Sequence, residues 1–236
     1  MPLSNDLGRE VDAILAARWQ IRSGRTVPTP ESVALTGGAV QIDATLIYSD
    51  LADSTRLVSD LGNEMAARVF KAFLASTTRI IRANGGEIRS FDGDRVMGVF
   101  VGDSRNTAAP RCALNIAHAF TKILKPKLEA KYLALASGAY LRHGSGADTG
   151  QILVIQGGIR NNNDLVWTGR AANVAAKLSG IREDGFYSYI TRGVYDAMDD
   201  SSKFSRDGHR PMWEPRNWGN LPNEVLYRSS WTWEPE

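Results

Sequence analysis

The chain has little of what marks a secreted, disulfide-bonded or membrane protein. Cys112 is its only cysteine, so no intrachain disulfide can form. Cys112 shares helical spacing with other apolar residues and is interpreted as a core residue. No stretch of about 18 apolar residues occurs, and residues 1–9 lack the basic-then-apolar pattern of a signal peptide. We therefore expect a cytoplasmic protein without a membrane partner.

Long runs of basic residues are also missing. The 28 basic and 26 acidic residues are spread along the chain and give a formal charge of +2, so no nucleic-acid partner is expected. His118, His143 and His209 are scattered without the spacing of a zinc site. The 236 residues suffice for one well-buried domain with a modest appendage.

Residues 1–43 are predicted to form an N-terminal helix and arm, and residues 44–236 the main domain. The arm begins with apolar residues at helical spacing, followed by a segment containing several prolines and glycines. In the main domain, residues 139–146 and 151–155 are predicted strands, and residues 201–218 a long irregular loop. The order of strands, helices and a hairpin predicts an α+β fold with helices packed against a central sheet.

Two aspartates are predicted to lie at strand ends. Asp50 follows the apolar run 46–48, and Asp94 lies in a tight turn between the strand-like runs 87–91 and 95–101. If these strands are neighbours, the two carboxylates converge and suit a pair of divalent cations, Mg²⁺ or Mn²⁺. Spacing alone favours the interpretation of such residues as turn formers or helix caps. Asp53 or Ser54 is predicted to cap the next helix.

Four motifs in order resemble class III nucleotide cyclases, the adenylate and guanylate cyclase catalytic domain family. Residues 48–55 resemble the first metal motif, and residues 85–100 resemble the second metal hairpin. Residues 146–150 resemble the strand-to-strand turn of the family, and residues 169–177 resemble its catalytic helix. The resemblance extends from about residue 42 to residue 227 and includes a final loop and strand, residues 217–222 and 224–227.

The resemblance implies a ferredoxin-like catalytic domain with a mostly antiparallel central sheet, active as a homodimer with its sites at the interface. Asp50 and Asp94 would bind two divalent cations per site, Mn²⁺ or Mg²⁺, with the backbone carbonyl of Leu51 assisting. Asn173 would orient the ribose. Lys177 stands where the family usually has an arginine that stabilises developing charge, and a lysine lacks the bidentate fork of arginine.

The residues expected to read the base match neither purine pattern of the family. By its motifs, the two base positions fall on Ser90 and Val166. Tyr48 or Trp167 could stack on a ring, while Arg89, Asp92 and Arg95 add polar groups nearby. Near the C-terminus, Trp218 replaces the family's lysine, and the triphosphate cation is assigned to Arg216, with Arg210 and Arg228 as alternatives.

These departures, with the short N-terminal arm and the hairpin sequence at residues 90–95, resemble the bacterial pyrimidine cyclases of anti-phage signalling. That resemblance implies a UTP-favouring cyclase that makes 3′,5′-cyclic UMP as an antiviral second messenger for a separate effector protein, with CTP as another possible substrate. An adenylate cyclase with an atypical base pocket and a catalytically inactive nucleotide-binding module remain alternatives. A diguanylate cyclase fits poorly, since its hallmark Gly-Gly-(Asp/Glu)-Glu-Phe hairpin is missing.

Overall fold

The computed structural model describes residues 2–136, 140–159, 161–219 and 224–236. The chain begins with α1 (Leu3–Ala16) and β1 (Gln20–Ser23), and continues through β2 (Gly38–Leu51), α2 (Ser54–Leu61) and α3 (Asn63–Ala83). The hairpin β3 (Glu87–Asp92) and β4 (Arg95–Phe100) leads to α4 (Arg105–His118), a π-helical segment (Ala119–Leu124) and α5 (Lys125–Lys131).

The second half contains β5 (His143–Ile159), β6 (Asn162–Thr168), α6 (Arg170–Ser179), β7 (Ser188–Thr191), α7 (Arg192–Ala197), α8 (Asp200–Lys203), β8 (Glu214–Asn217) and β9 (Val225–Ser229). The main path through the sheet runs β3-β4-β2-β5-β7-β9-β8, with β1 paired to β2 and β6 paired to β5. Only β1 with β2 and β5 with β7 pair in parallel among the described strands. The α+β architecture with a mostly antiparallel sheet and flanking helices is therefore confirmed.

Both faces of the sheet are buried. Successive side chains of a strand point to opposite faces, so each strand contributes to the packing on both. On one face, Ile47 and Phe100 pack with residues of α3 and α4. On the other, Leu46 and Met97 pack with α6 and with Val27 of the N-terminal arm. Cys112 is fully buried in the first cluster, as expected of a core cysteine.

The helix predicted near the N-terminus is present as α1, whereas the residues after it take part in the sheet. Gln20–Ser23 pairs with β2, and the proposed boundary between residues 43 and 44 falls inside β2. None of the helices in the described part of the chain combines the length and the apolar character needed to cross a membrane.

Residues 139–155 differ from the expectation of two strands joined by a turn. One strand, β5, extends from His143 to Ile159 and pairs with β2 from Leu51 to Ala39. Residues 146–150 therefore lie within a strand, and Asp148 accepts hydrogen bonds there from the hydroxyl of Thr191 at 2.6 Å and the backbone N–H of Thr149 at 2.9 Å. Ala139, the predicted start of the first strand, lies outside the described residues.

Two local expectations also need correction, and a third is not tested. The region 201–218 is not one irregular loop, since it contains most of α8 and all of β8. Asp53 occupies the N-cap position of α2 in a left-handed conformation, and its side chain makes no capping hydrogen bond. In the final loop motif, Asn220, Leu221 and Pro222 lie outside the described residues.

Candidate functional site

Asp50 lies near the C-terminal end of β2, on the face of the sheet covered by α6. It shares this face with Tyr48 and Leu46, because residues two apart in a strand point the same way. Its side chain is 23% exposed. A carboxylate in this place is partly desolvated yet still open to a ligand.

Asp94 lies in the turn of the β3–β4 hairpin, as the sequence predicted. Gly93 supplies the positive φ of 61° that this tight turn requires. Because Ser49 of β2 is paired with Val96 of β4, the turn lies beside the end of β2. The side chain of Ser54 acts to lower the pKa of Asp94, against the larger effect of burial. The Oδ2 atom of Asp94 is buried without a hydrogen-bond partner among the described residues.

The structure brings these two carboxylates together. Burial raises the pKa of Asp50 to about 6, with a further increase from the negative charge of Asp94, while Arg182 and Arg95 act in the opposite direction. Burial likewise raises the pKa of Asp94. The pair is therefore under-neutralised, and a cation placed between the carboxylates would be strongly favoured.

The donor set fits Mg²⁺ or Mn²⁺. Two carboxylates with an unpaired buried oxygen, together with a nearby backbone carbonyl, are the hard oxygen ligands these ions prefer. Residues 2–136, 140–159, 161–219 and 224–236 contain no cluster of three or more His, Cys, Asp or Glu side chains that could hold a metal. The remaining ligands would then come from water and substrate phosphates, which is common for Mg²⁺.

One charged residue of this site was missed by the sequence analysis. Nη2 of Arg182 lies 3.4 Å from Oδ2 of Asp50 and donates to the carbonyl oxygen of Leu51 at 3.0 Å. Arg182 is three residues beyond the C-terminal end of α6, outside every recognised motif. No local pattern marks it, because its contact with Asp50 depends on how α6 packs against β5.

Asn173 and Lys177 lie one helical turn apart on α6, and both are exposed. Neither side chain has a hydrogen bond or ion pair within the part of the chain that the structure describes. The opposite face of α6, including Ala172 and Ala175, is buried against the sheet. Both side chains are therefore available to a molecule outside this protomer's core.

The predicted base-reading residues lie at different places around the sheet. Ser90 of β3 and Tyr48 of β2 both pair with Met97 of β4, so these residues lie side by side on three strands. Tyr48 is half-buried, and the guanidinium of Arg95 lies 5.5 Å from its ring centre. Val166 of β6 is 46% exposed; it points away from the face on which its neighbour Trp167 packs against the α6-side cluster.

Arg216, the predicted triphosphate residue, is engaged by other residues. It forms an ion pair with Glu183, which also pairs with Arg228. Arg216 lies on β8, the strand at the end of the main path through the sheet. The structure gives it no contact with Asp50 or Asp94, and its assignment to the triphosphate stays a prediction.

Several solved structures with a similar fold are nucleotide cyclases. A bacterial light-regulated adenylyl cyclase superposes with a TM-score of 0.67 at 25% identity, over 84% of this chain and 55% of that one. An adenylyl cyclase from P. aeruginosa superposes with a TM-score of 0.62 at 22% identity, over 84% of this chain and 98% of that one. The fold is that of a class III nucleotide cyclase catalytic domain.

Curated relatives define the family more closely, although no protein-family model matches the chain. A uridylate cyclase from Rhodovulum sp. (strain MB263) is 42% identical over 100% of this chain and 99% of its own length. Another from Xanthomonas perforans is 39% identical over 99% of both chains. The chain therefore belongs to the family of these bacterial uridylate cyclases and is a nucleotide cyclase.

Proposed function

We propose that this enzyme converts UTP to 3′,5′-cyclic UMP and pyrophosphate at a site with two divalent cations, Mg²⁺ or Mn²⁺. The observation that carries the proposal is the convergence of Asp50 and Asp94, whose shared burial and mutual repulsion favour a cation between them. Asp50, Asp94 and the carbonyl of Leu51 would hold the cations. When bound, such ions supply a Lewis acid for the attacking hydroxyl and a clamp for the triphosphate.

The reaction is an internal displacement at the α-phosphorus. The ribose 3′-hydroxyl loses its proton, its oxygen bonds to the α-phosphorus, and the bond to the bridging oxygen breaks to release pyrophosphate. Asn173 would orient the ribose by hydrogen bonding. The ammonium group of Lys177 would stabilise the charge that accumulates on the phosphate oxygens.

We further propose that the active enzyme is a homodimer in which α6 of one subunit serves the carboxylates of the other. The exposure of Asn173 and Lys177 supports this arrangement, since both side chains are directed away from the core of their own protomer. Two equivalent sites would then lie at the interface, as the isologous contact of a two-fold dimer requires.

Polar groups beside Tyr48 would bind the edge of the base. Arg95 donates to Asp92 at 2.6 Å, so a hydrogen-bond donor and an acceptor lie together near the hairpin turn. Uracil presents matching groups, a carbonyl acceptor beside the N3–H donor. The relatives named uridylate cyclase support the same substrate. The product would act in the cytoplasm on a separate effector during antiviral defence, as the resemblance to anti-phage cyclases implies.

Product analysis with all four ribonucleoside triphosphates tests this proposal. Purified protein is incubated with each triphosphate and Mn²⁺ or Mg²⁺, and the products are identified by mass spectrometry. Cyclic UMP from UTP, formed faster than any other cyclic product, is expected. Cyclic AMP as the main product would transfer the assignment to adenylate cyclase, and no cyclic product from any triphosphate would refute the proposal.

A further inference from the structure

Arg182 makes an unusual set of contacts for an arginine at the end of a helix. Nη1 donates to the carbonyl oxygens of Ser179 and Ile181, the latter at 3.0 Å, and so anchors the guanidinium to the end of α6. Nη2 donates to Leu51 O at 3.0 Å and lies 3.4 Å from both the carbonyl and Oδ2 of Asp50. One guanidinium thus ties the end of α6 to the C-terminal end of β2, which carries Asp50.

The oxygens that Arg182 contacts include those proposed to hold the cations. Among the described side chains, Arg182 is the one that forms an ion pair with Asp50, while Oδ2 of Asp94 has no partner. Arg95, the other nearby guanidinium, is already paired with Asp92. Arg182 therefore supplies the positive charge that Asp50 needs before any metal arrives.

The local structure provides room for this guanidinium in two ways. A side chain at Gly144 would place its Cβ 2.6 Å from Nη1 of Arg182, so the present contact requires a glycine at that position. Arg182 also lines a cavity of about 450 Å³ whose wall includes Glu129 and Asp184. The side chain therefore has space to move away from Asp50, toward a wall whose carboxylates are paired with Lys125 and Arg142.

We propose that Arg182 is a positioning residue that acts as a built-in counter-ion: it neutralises Asp50 and holds the Leu51 carbonyl in the metal-free enzyme, and divalent cations displace it when they bind. The inference rests on the proposed metal site. Its consequence is that Arg182 competes with the metal, because two cations cannot share the same carboxylate oxygen without repulsion.

Manganese titration followed by electron paramagnetic resonance tests this competition directly at about pH 8, where Asp50 is ionised. Arg182→Gln removes the charge but keeps a side-chain amide that can donate to Leu51 O. This variant should bind Mn²⁺ at least about fivefold more tightly than wild type. Arg182→Lys, which keeps the charge, should restore affinity close to the wild-type value. The matched control Arg142→Gln removes a charge from the same cavity without touching Asp50, and should leave affinity unchanged.

Hydrogen exchange on the wild-type protein provides a second readout that needs no variant. Release of Arg182 should lower the protection of residues 179–184 when Mn²⁺ is added. Unchanged protection there, or Mn²⁺ affinity in Arg182→Gln that is equal to or weaker than wild type, would overturn the counter-ion role. If Asp50→Asn still binds Mn²⁺ with wild-type affinity, the proposed metal site is wrong. If Asp50→Asn loses Mn²⁺ binding but Arg182→Gln gains no affinity, the metal site stands and only the counter-ion role of Arg182 is contradicted.

Discussion

Asp50 lies beside Asp94: burial raises the pKa of Asp50, and the negative charge of Asp94 raises it further. This interaction arises because β2 pairs with β4, and the turn before β4 carries Asp94 beside the end of β2. A cation placed between the two carboxylates is bound more strongly than either carboxylate would bind it alone.

Asp50→Asn and Asp94→Asn should each lower kcat by about 10²-fold or more, because each removes a charge that holds the catalytic cations. Steady-state pyrophosphate release measures the effect. Circular dichroism and size-exclusion chromatography serve as controls that the variants remain folded. Wild-type rates in either variant would refute the metal assignment.

Mixing two inactive variants tests whether the sites are shared between subunits. Asp50→Asn and Asn173→Ala homodimers should each be nearly inactive, whereas heterodimers hold one site with both residues intact. After subunit exchange, the mixture should recover up to about a quarter of wild-type activity, since half of the dimers then have one of two working sites. No recovery despite verified exchange argues for sites built within one protomer.

Arg95→Gln should weaken discrimination between UTP and ATP. It removes the charged donor beside Tyr48, and polar readout of this kind contributes a large part of base selectivity. The ratio of kcat/KM values for UTP and ATP should fall about tenfold or more. Arg192→Gln, at an exposed position of α7, is the matched control and should leave the ratio unchanged. An unaltered ratio in Arg95→Gln places uracil recognition elsewhere.

His143 should make folding sensitive to acid. It is buried between Phe120 and Tyr187, and burial lowers its pKa to about 3 from the 6.5 of an exposed imidazole. The unfolded chain therefore takes up a proton below pH 6.5 while the folded protein does not, so stability is complete above that pH and declines as pH falls.

The loss attributable to His143 should reach about 3 kcal/mol by about pH 4. Urea denaturation of metal-free protein across this range measures it. His143→Phe keeps the aromatic packing and removes the titration, so its free energy of unfolding should fall less over the same interval. Parallel pH profiles for the two proteins would show that His143 does not contribute.

Much of the fold followed from the sequence because local signals were strong. The turn around Gly93, the apolar face of α6 and the strand before Asp50 each carry their own pattern. Residues 146–150 misled the interpretation, since they resemble the strand-to-strand turn of the cyclase family. Gly146 is instead needed within β5 because α6 packs closely there: a Cβ would lie 2.4 Å from the backbone nitrogen of Ser179.

Site residues that lie inside recognisable motifs were predicted, whereas those whose contacts depend on tertiary packing were missed. Asp50 and Asp94 lie inside recognisable motifs, and their neighbourhood followed from strand order. Arg182 reaches Asp50 only through the tertiary contact of α6 with β5, and the pairing of Arg216 with Glu183 depends on the placement of β8. Long-range contacts of this kind leave no periodic pattern in a single sequence.

The N-terminal helix has a consequence for how the chain behaves on dilution. None of the residues of α1 is buried, and its large apolar side chains are between 51% and 78% exposed: Leu3, Leu7, Val11, Ile14 and Leu15. A helix of 14 residues that has no packing contacts for its apolar side chains is only marginally stable in water. The helicity of α1 therefore depends on whether another surface covers these side chains. If that surface belongs to a second molecule, the ellipticity that α1 contributes should depend on protein concentration.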